Sequence, residues 1–351
     1  MRIAFILDHP LKQYRIPFFK LLTSKYKNEI VVFHSGVKQA QEKLYFEECI
    51  VKRKSIMCVF DYRKGINLDN FDVVVCMQNL RLLNLWQLSL KRNRSFKLIH
   101  WGIGVSSSNG LSSQSYFIKS TRNWIMNYAD AIVFYSYYPL KFIKKSLQEK
   151  CFVALNTIEN TLSEDLSSSK KDSFIFIGSL DKRKGLRETI ISFHKYLSQN
   201  PINIRKLIII GEGVEYEFIS HYVSSNHLEE SIILVGRLDN PIDKKEYFKR
   251  SIACISLNQA GLSVLESFSF GVPFVTKANA ISGGEHLNIK NNLNGFLVND
   301  LNEFINKLNW FDQSMEKAKK LGENAFSYFK EKANMDQMVD SFEKAFNYTI
   351  S

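Results

Sequence analysis

Short runs of apolar, largely β-branched residues recur along the first half of the chain at Arg2–Leu7, Ile30–Phe33, Asp72–Met77, Lys97–Trp101 and Ala131–Tyr135, with helix-length stretches between them. Uninterrupted apolar runs read as strands buried on both faces, so this spacing predicts βαβ units and a parallel sheet. Thr157–Ser173 is rich in Ser, Lys, Asp and Glu, lacks the pattern and reads as a connection. The pattern then restarts, with strands expected at Ser173–Ile177, Lys206–Ile210, Ile232–Val235, Ala253–Ser256, Phe274–Thr276 and Gly295–Val298. Helical stretches follow from about Met315 to Lys332 and from about Asn334 to Tyr348. The expected architecture is α/β, with two facing Rossmann-like domains built on parallel sheets. Residues 1–157 form the first domain, 158–172 a linker, 173–332 the second domain, and 333–351 a C-terminal helix with the option of packing back on the first domain. Ligands belong at the carboxyl ends of the strands.

At 351 residues the chain is too long for one ordinary core, and its 45% hydrophobic and 13% aromatic content excludes disordered or fibrous classes. The first apolar run is cut off by Asp8, His9 and Pro10, too early for a secretory leader. No apolar segment approaches the roughly 20 residues that cross a bilayer. Five cysteines, odd in number and widely spaced, read as reduced core thiols and place the chain in the cytoplasm. Charge changes the picture more. Residues 1–150 carry 24 Lys and Arg against 10 Asp and Glu, so the net charge of +12 lies wholly in the first half. That asymmetry fits either an anionic partner, such as a phospholipid surface or a pyrophosphate-linked lipid, or a merely solvated basic surface.

Two stretches carry candidate chemistry. In the run from Asn258 through Gly261, Leu262, Ser263 and Glu266 to Gly271 and Pro273, a strand ends, a Gly-containing turn follows, and a helix is expected from about Leu262 to Phe270. Free N–H groups of Gly261, Leu262 and Ser263 would point from the helix start, where backbone donors and the dipole favour a phosphate. Glu266, one turn deeper, is placed to accept two ribose hydroxyls. The plain alternative is a strand-to-helix turn with a surface Glu. In Phe174–Leu186, Gly178 is followed by Ser179, Lys182, Arg183, Lys184 and Gly185. Lysines at a strand end can neutralise a diphosphate, or form an ordinary solvated charge run.

These two motifs resemble those of the retaining glycosyltransferases of family 4, and the resemblance covers residues 172–300 most clearly. It implies the fold called GT-B and a nucleoside-diphosphate sugar donor. On the family's Glu-x7-Glu element, Glu266 matches the second Glu, which holds the ribose; the first, which contacts the donor sugar, falls on Asn258. On its Gly-Arg-Leu-x-x-x-Lys-Gly element, Lys184 matches the Lys that steadies the departing diphosphate, while Ser179 replaces the Arg. Ile210–Gly213, Val235–Arg237 and Asn279–Val298 resemble turns around the donor site. Tyr14-Arg15-x-Pro17 resembles the opening of polysaccharide-assembly members. His100, at a strand end, resembles a His that faces the donor sugar.

The expectation is therefore a metal-independent glycosyltransferase that needs no cofactor and moves a hexosyl group with retention. His100 and Lys184 are its candidate catalytic residues, and Ser179, Lys184, Asn258, Gly261, Leu262, Ser263 and Glu266 its donor-binding residues. The acceptor is expected to be a saccharide, lipid-pyrophosphate-linked, met by the basic first domain at the inner face of the cell membrane, in capsule or O-antigen assembly. Nucleic acid is not an expected partner. No Asp-x-Asp, P-loop or metal-spaced His/Cys set occurs. The losses at Asn258 and Ser179 leave open a non-catalytic sugar-nucleotide-binding or scaffold protein of the same fold, and a sugar-nucleotide hydrolase or epimerase.

Overall fold

The computed structural model describes residues 1–39, 45–106, 115–201, 205–238 and 240–351. The chain divides into two compact units. Of the described residues, an N-terminal unit holds those of 1–106, 115–159 and 334–351, and a C-terminal unit those of 160–333.

In the N-terminal unit the chain runs β1 (Arg2–Ile6), α1 (Ile16–Tyr26), β2 (Glu29–His34), β3 (Glu47–Ile50), β4 (Lys52–Ile56), β5 (Phe60–Lys64), β6 (Val73–Met77), α2 (Leu83–Leu90), β7 (Lys97–Gly102), α3 (Tyr116–Met126), β8 (Ala131–Phe134), α4 (Lys145–Gln148) and β9 (Cys151–Val153). Seven strands form a parallel sheet in the order β3-β2-β1-β6-β7-β8-β9. The five expected strands are its centre. Strand β6 is buried at every position, which is why its sequence is a pure apolar run.

Strands β4 and β5 pair antiparallel as a separate hairpin. Every residue of β4 is exposed, and so is Cys58 at its tip, which corrects the reading of that cysteine as a core thiol.

The C-terminal unit runs β10 (Ser173–Ile177), α5 (Leu186–Gln199), β11 (Lys206–Ile210), α6 (Tyr216–Ser225), β12 (Ile232–Gly236), α7 (Pro241–Arg250), β13 (Ser251–Ile255), α8 (Ser263–Phe268), β14 (Phe274–Lys277), β15 (Gly295–Val298), α9 (Leu301–Gln313) and α10 (Met315–Lys332). Its six strands are parallel in the order β12-β11-β10-β13-β14-β15, a second Rossmann-like sheet. The polar stretch read as a linker, 158–172, belongs to this unit from Asn160 onward. Its backbone is held at the end of α8: Glu164 N donates to Ser269 O (3.1 Å) and Leu166 N to Phe270 O (3.2 Å). Polar composition concealed an ordered segment, tied down by its main chain and by side chains such as Asn160, whose Nδ2 donates to Ser269 Oγ (2.6 Å).

The last helix, α11 (Met335–Ile350), belongs to the N-terminal unit. Its stripe of Met338, Val339, Phe342 and Phe346 is fully buried, with the Phe342 ring centroid 4.9 Å from Phe18 and 5.1 Å from Trp101. Lys25 of α1 pairs with Asp336 and Asp340 along the edge of this contact, and the hydrogen bond to Asp340 helps push its pKa up to about 12.

Candidate functional site

In the C-terminal sheet the chain leaves β10 toward β11 and leaves β13 toward β14, in opposite directions. The carboxyl ends of β10 and β13 therefore flank a topological switch point, where open α/β sheets bind ligands. The loops that leave these strands, 178–185 and 256–262, meet there: Asn258 N donates to Lys184 O (3.3 Å).

The first loop is fixed by close backbone approach. Gly178 N donates to Ile210 O (3.0 Å) and Leu180 N to Glu212 O (2.8 Å). A Cβ on Gly211 would stand 1.8 Å from Gly178 O, so the Gly-Glu-Gly turn after β11 exists to let the two strand ends touch. The loop closes at Gly185, in left-handed backbone (φ +69°), and a Cβ there would lie 2.5 Å from Asn258 Cγ. Gly185→Ala is expected to destabilise by roughly 2 kcal/mol through backbone strain and displacement of Asn258. Denaturant unfolding checks this; an unchanged midpoint would refute it.

Within this loop Lys184 folds back over Gly178, its Nζ 3.6 Å from the place a Gly178 Cβ would occupy. Burial lowers its pKa; Asp181 and Glu285 act in the opposite direction. It has no hydrogen-bonded or ion-paired side-chain partner among the described residues. A half-buried, unpaired ammonium is a charge waiting for an anion. Its neighbours are otherwise engaged. Ser179 Oγ donates to Asp181 (2.8 Å), and the exposed Arg183 turns its guanidinium onto the same carboxylate. Although burial pushes upward, these bonds hold the Asp181 carboxyl below its ordinary range. Arg183 is thus spent on Asp181, while Lys184 lies over Gly178.

The second loop leads into α8, which spans Ser263–Phe268 rather than the expected 262–270. So short a helix has little dipole, and what it offers an anion is local: no acceptor among the described residues takes the amides of Gly261, Leu262 or Ser263. Ser263 Oγ is also enclosed without a partner. Glu266 is anchored by Lys244 of α7, Nζ to Oε1 3.2 Å. Burial raises the pKa of Cys254 in β13, helped by the Glu266 carboxylate and opposed by Lys184, so both charges lie within electrostatic reach of that strand.

Asn258 lies in the loop after β13 with its Oδ1 accepting from Lys277 (3.1 Å), and Lys277 also pairs with Glu188 of α5. The loop 279–286 is tied alongside through Ile281 N to Asn258 O (2.8 Å) and Ala260 N to Ile281 O (3.2 Å). Sequence reasoning missed Lys244, Lys277 and Glu188, because each reaches the site from an element that carries no motif.

His100 is placed elsewhere. Strand β7 continues to Gly102, so His100 lies inside the strand, fully buried, with Nε2 2.9 Å from Ser89 Oγ of α2. Burial holds its pKa down at about 3. It is a buried residue of the N-terminal unit, and its Nδ1 is enclosed without a partner.

A switch-point cradle of free amides with an unpaired lysine and an anchored carboxylate has the chemistry to take an anion such as a diphosphate. Residues 158–328, just under half of the chain, match the family model for glycosyl transferases group 1. The poly(glycerol-phosphate) alpha-glucosyltransferase of Bacillus subtilis is 26% identical over 209 residues, 58% of this chain and 30% of that protein. The N-acetyl-alpha-D-glucosaminyl L-malate synthase of Bacillus anthracis is 26% identical over 110 residues, 31% of this chain and 28% of that protein. The chain thus spans under a third of the length of each of these two relatives. Among solved structures, Anabaena HepE in complex with UDP superposes with a TM-score of 0.69 at 14% identity, covering 99% of this chain and all of that one. At that identity the likeness shows the fold, which is GT-B.

Proposed function

We propose that this glycosyltransferase moves a sugar, with retention of anomeric configuration, from a nucleoside-diphosphate sugar to a saccharide acceptor in cell-surface polysaccharide synthesis. The observation that carries this reading is Lys184, unpaired beside free backbone amides. As the bond from the anomeric carbon to the diphosphate oxygen breaks, its electrons pass to that oxygen, and Lys184 with the amides of residues 261–263 stabilises the growing charge. Glu266 holds the ribose, and Asn258, its Nδ2 without an acceptor among the described residues, reaches a sugar hydroxyl. The acceptor oxygen enters on the face the diphosphate leaves, and its proton passes to the departing phosphate oxygen. Stabilisation comes from the protein's own donors, so turnover is expected to persist in EDTA.

Two relatives are named for anionic acceptors, a glycerol-phosphate polymer and malate, which favours a charged acceptor here as well. The test is release of nucleoside diphosphate from UDP, GDP and dTDP sugars with and without lipid-pyrophosphate saccharides, with the product anomer read by NMR. Release without acceptor would make the chain a hydrolase. Donor binding without turnover would favour the scaffold reading, to which the engaged Ser179 and Asn258 Oδ1 lend support.

No helix among the described residues is long and apolar enough to cross a membrane. The β4–β5 hairpin supports a peripheral location, because its stem carries Lys52, Lys54 and Lys64 while its tip exposes Met57 at 83% and Val59 at 51%. Each lysine near an anionic bilayer contributes about 1 kcal/mol. Replacing Lys52 and Lys54 by Gln is expected to weaken co-sedimentation with phosphatidylglycerol vesicles about 30-fold, in a salt-dependent way. Equal sedimentation of both proteins would remove the hairpin from the reading.

A further inference from the structure

The N-terminal unit contains a second cation that nothing above uses. Arg15 closes the loop after β1, in the 3-10 turn Gln13–Arg15 that leads into α1, and is only 3% exposed. Its guanidinium carbon lies 4.6 Å from the ring centroid of Trp101, 5.1 Å from Tyr135 and 5.2 Å from Tyr14. Trp101 and Tyr135 meet edge to face at 5.6 Å and form the floor of this box. No carboxylate of the described residues pairs with Arg15. Its Nη1 is enclosed without an acceptor, Nε and Nη2 have none among the described residues, and Trp101 Nε1 is enclosed without one too.

Aromatic faces return part of what burying a guanidinium costs, but an unpaired buried charge remains unfavourable, and its hydrogen-bonding capacity is unspent. Position supplies the rest. Trp101 is the penultimate residue of β7 and Tyr135 follows the last residue of β8, so the box stands at the carboxyl ends of parallel strands, where α/β sheets bind ligands. The planar fork of an arginine, its plane fixed by two rings, is shaped for two parallel hydrogen bonds to one oxyanion.

We propose that Arg15, with Trp101 and Tyr135, is the receptor for an anionic group, phosphate or carboxylate, on the acceptor. The inference rests on the transferase reading, in which the acceptor meets the N-terminal unit.

The test uses the full chain with Lys184→Ala as background, which removes the donor-site cation. Inorganic phosphate and glucuronate are titrated calorimetrically; the tighter of the two identifies the anionic group. Adding Arg15→Met is expected to weaken that binding at least tenfold, with Arg15→Lys in between, because a point charge lacks the fork. The ligand-free melting temperature of Arg15→Met is expected to stay level or rise. Anion binding that is indifferent to Arg15→Met overturns the proposal. So does a marked fall in that melting temperature, which would make the cation–π box a packing device. Failure of every nucleoside diphosphate to bind the wild type would instead sink the donor reading, while an Arg15-dependent anion response would stand.

Discussion

Lys184→Ala is expected to lower kcat by about 10²–10³-fold, or roughly 3–4 kcal/mol of transition-state stabilisation, while leaving nucleotide affinity much less changed. The charge on the diphosphate oxygen grows as the sugar departs, so a cation at that oxygen is worth more in the transition state than in the bound donor. Arg183 does not compensate, because it is committed to Asp181. Stability should move the other way. Burial lowers the pKa of Lys184 in the folded chain, so folding carries a penalty wherever the unfolded lysine is protonated. That penalty is complete at neutral pH and disappears as pH rises through the folded and then the ordinary lysine pKa. The Ala variant should therefore melt at the same temperature as the wild type or higher near pH 7. In the wild type, kcat/KM should fall as pH rises through the lowered pKa of the free enzyme, with no such limb in the variant. A variant that keeps wild-type kcat would remove Lys184 from the chemistry.

What the sequence made legible follows from where a single strong pattern decides local structure. Ser173–Ile177, Lys206–Ile210 and Gly295–Val298 coincide with their strands because the stretches Phe174–Ile177, Leu207–Ile210 and Phe296–Val298 are unbroken apolar runs, as the interior of a parallel sheet requires. The two site loops were legible for a related reason, since glycines mark places where backbones touch, as at Gly211, or where a left-handed turn lies against a side chain, as at Gly185 beside Asn258. Strands that lack a fully buried run stayed hidden: β3 is an edge strand reading Glu-Glu-Cys-Ile, and the β4–β5 hairpin is exposed along one whole strand. Depth was the other blind spot. His100 and Arg15 both carry polar groups at the carboxyl half of the sheet, and nothing in their local sequence says that one meets Ser89 in the core while the other enters an aromatic box. Partners supplied from distant elements, Lys244 for Glu266 and Lys277 for Asn258, depend on helix and strand placement that no short motif encodes.

Glu266→Ala should act on binding rather than on the chemical step, weakening the best-bound nucleoside diphosphate by roughly 10–100-fold, or about 1.4–2.8 kcal/mol, the range for hydrogen bonds to a charged group. The ion pair with Lys244 is partly exposed, so its loss should cost the fold little, near the 0–1 kcal/mol of surface pairs. On the proposed reading the pair is positional, holding the carboxylate in one rotamer for the ribose. Lys244→Ala should accordingly weaken binding by a smaller factor, and the double variant should match Glu266→Ala alone, since a lysine has nothing to position once the carboxylate is gone. The 2′-deoxy analogue provides the decisive comparison. Wild type should prefer the ribonucleotide by about tenfold, the share of one hydroxyl, and Glu266→Ala should bind the two alike. Undiminished discrimination in the variant would assign the ribose to another residue and leave Glu266 as a helix-face carboxylate paired with Lys244.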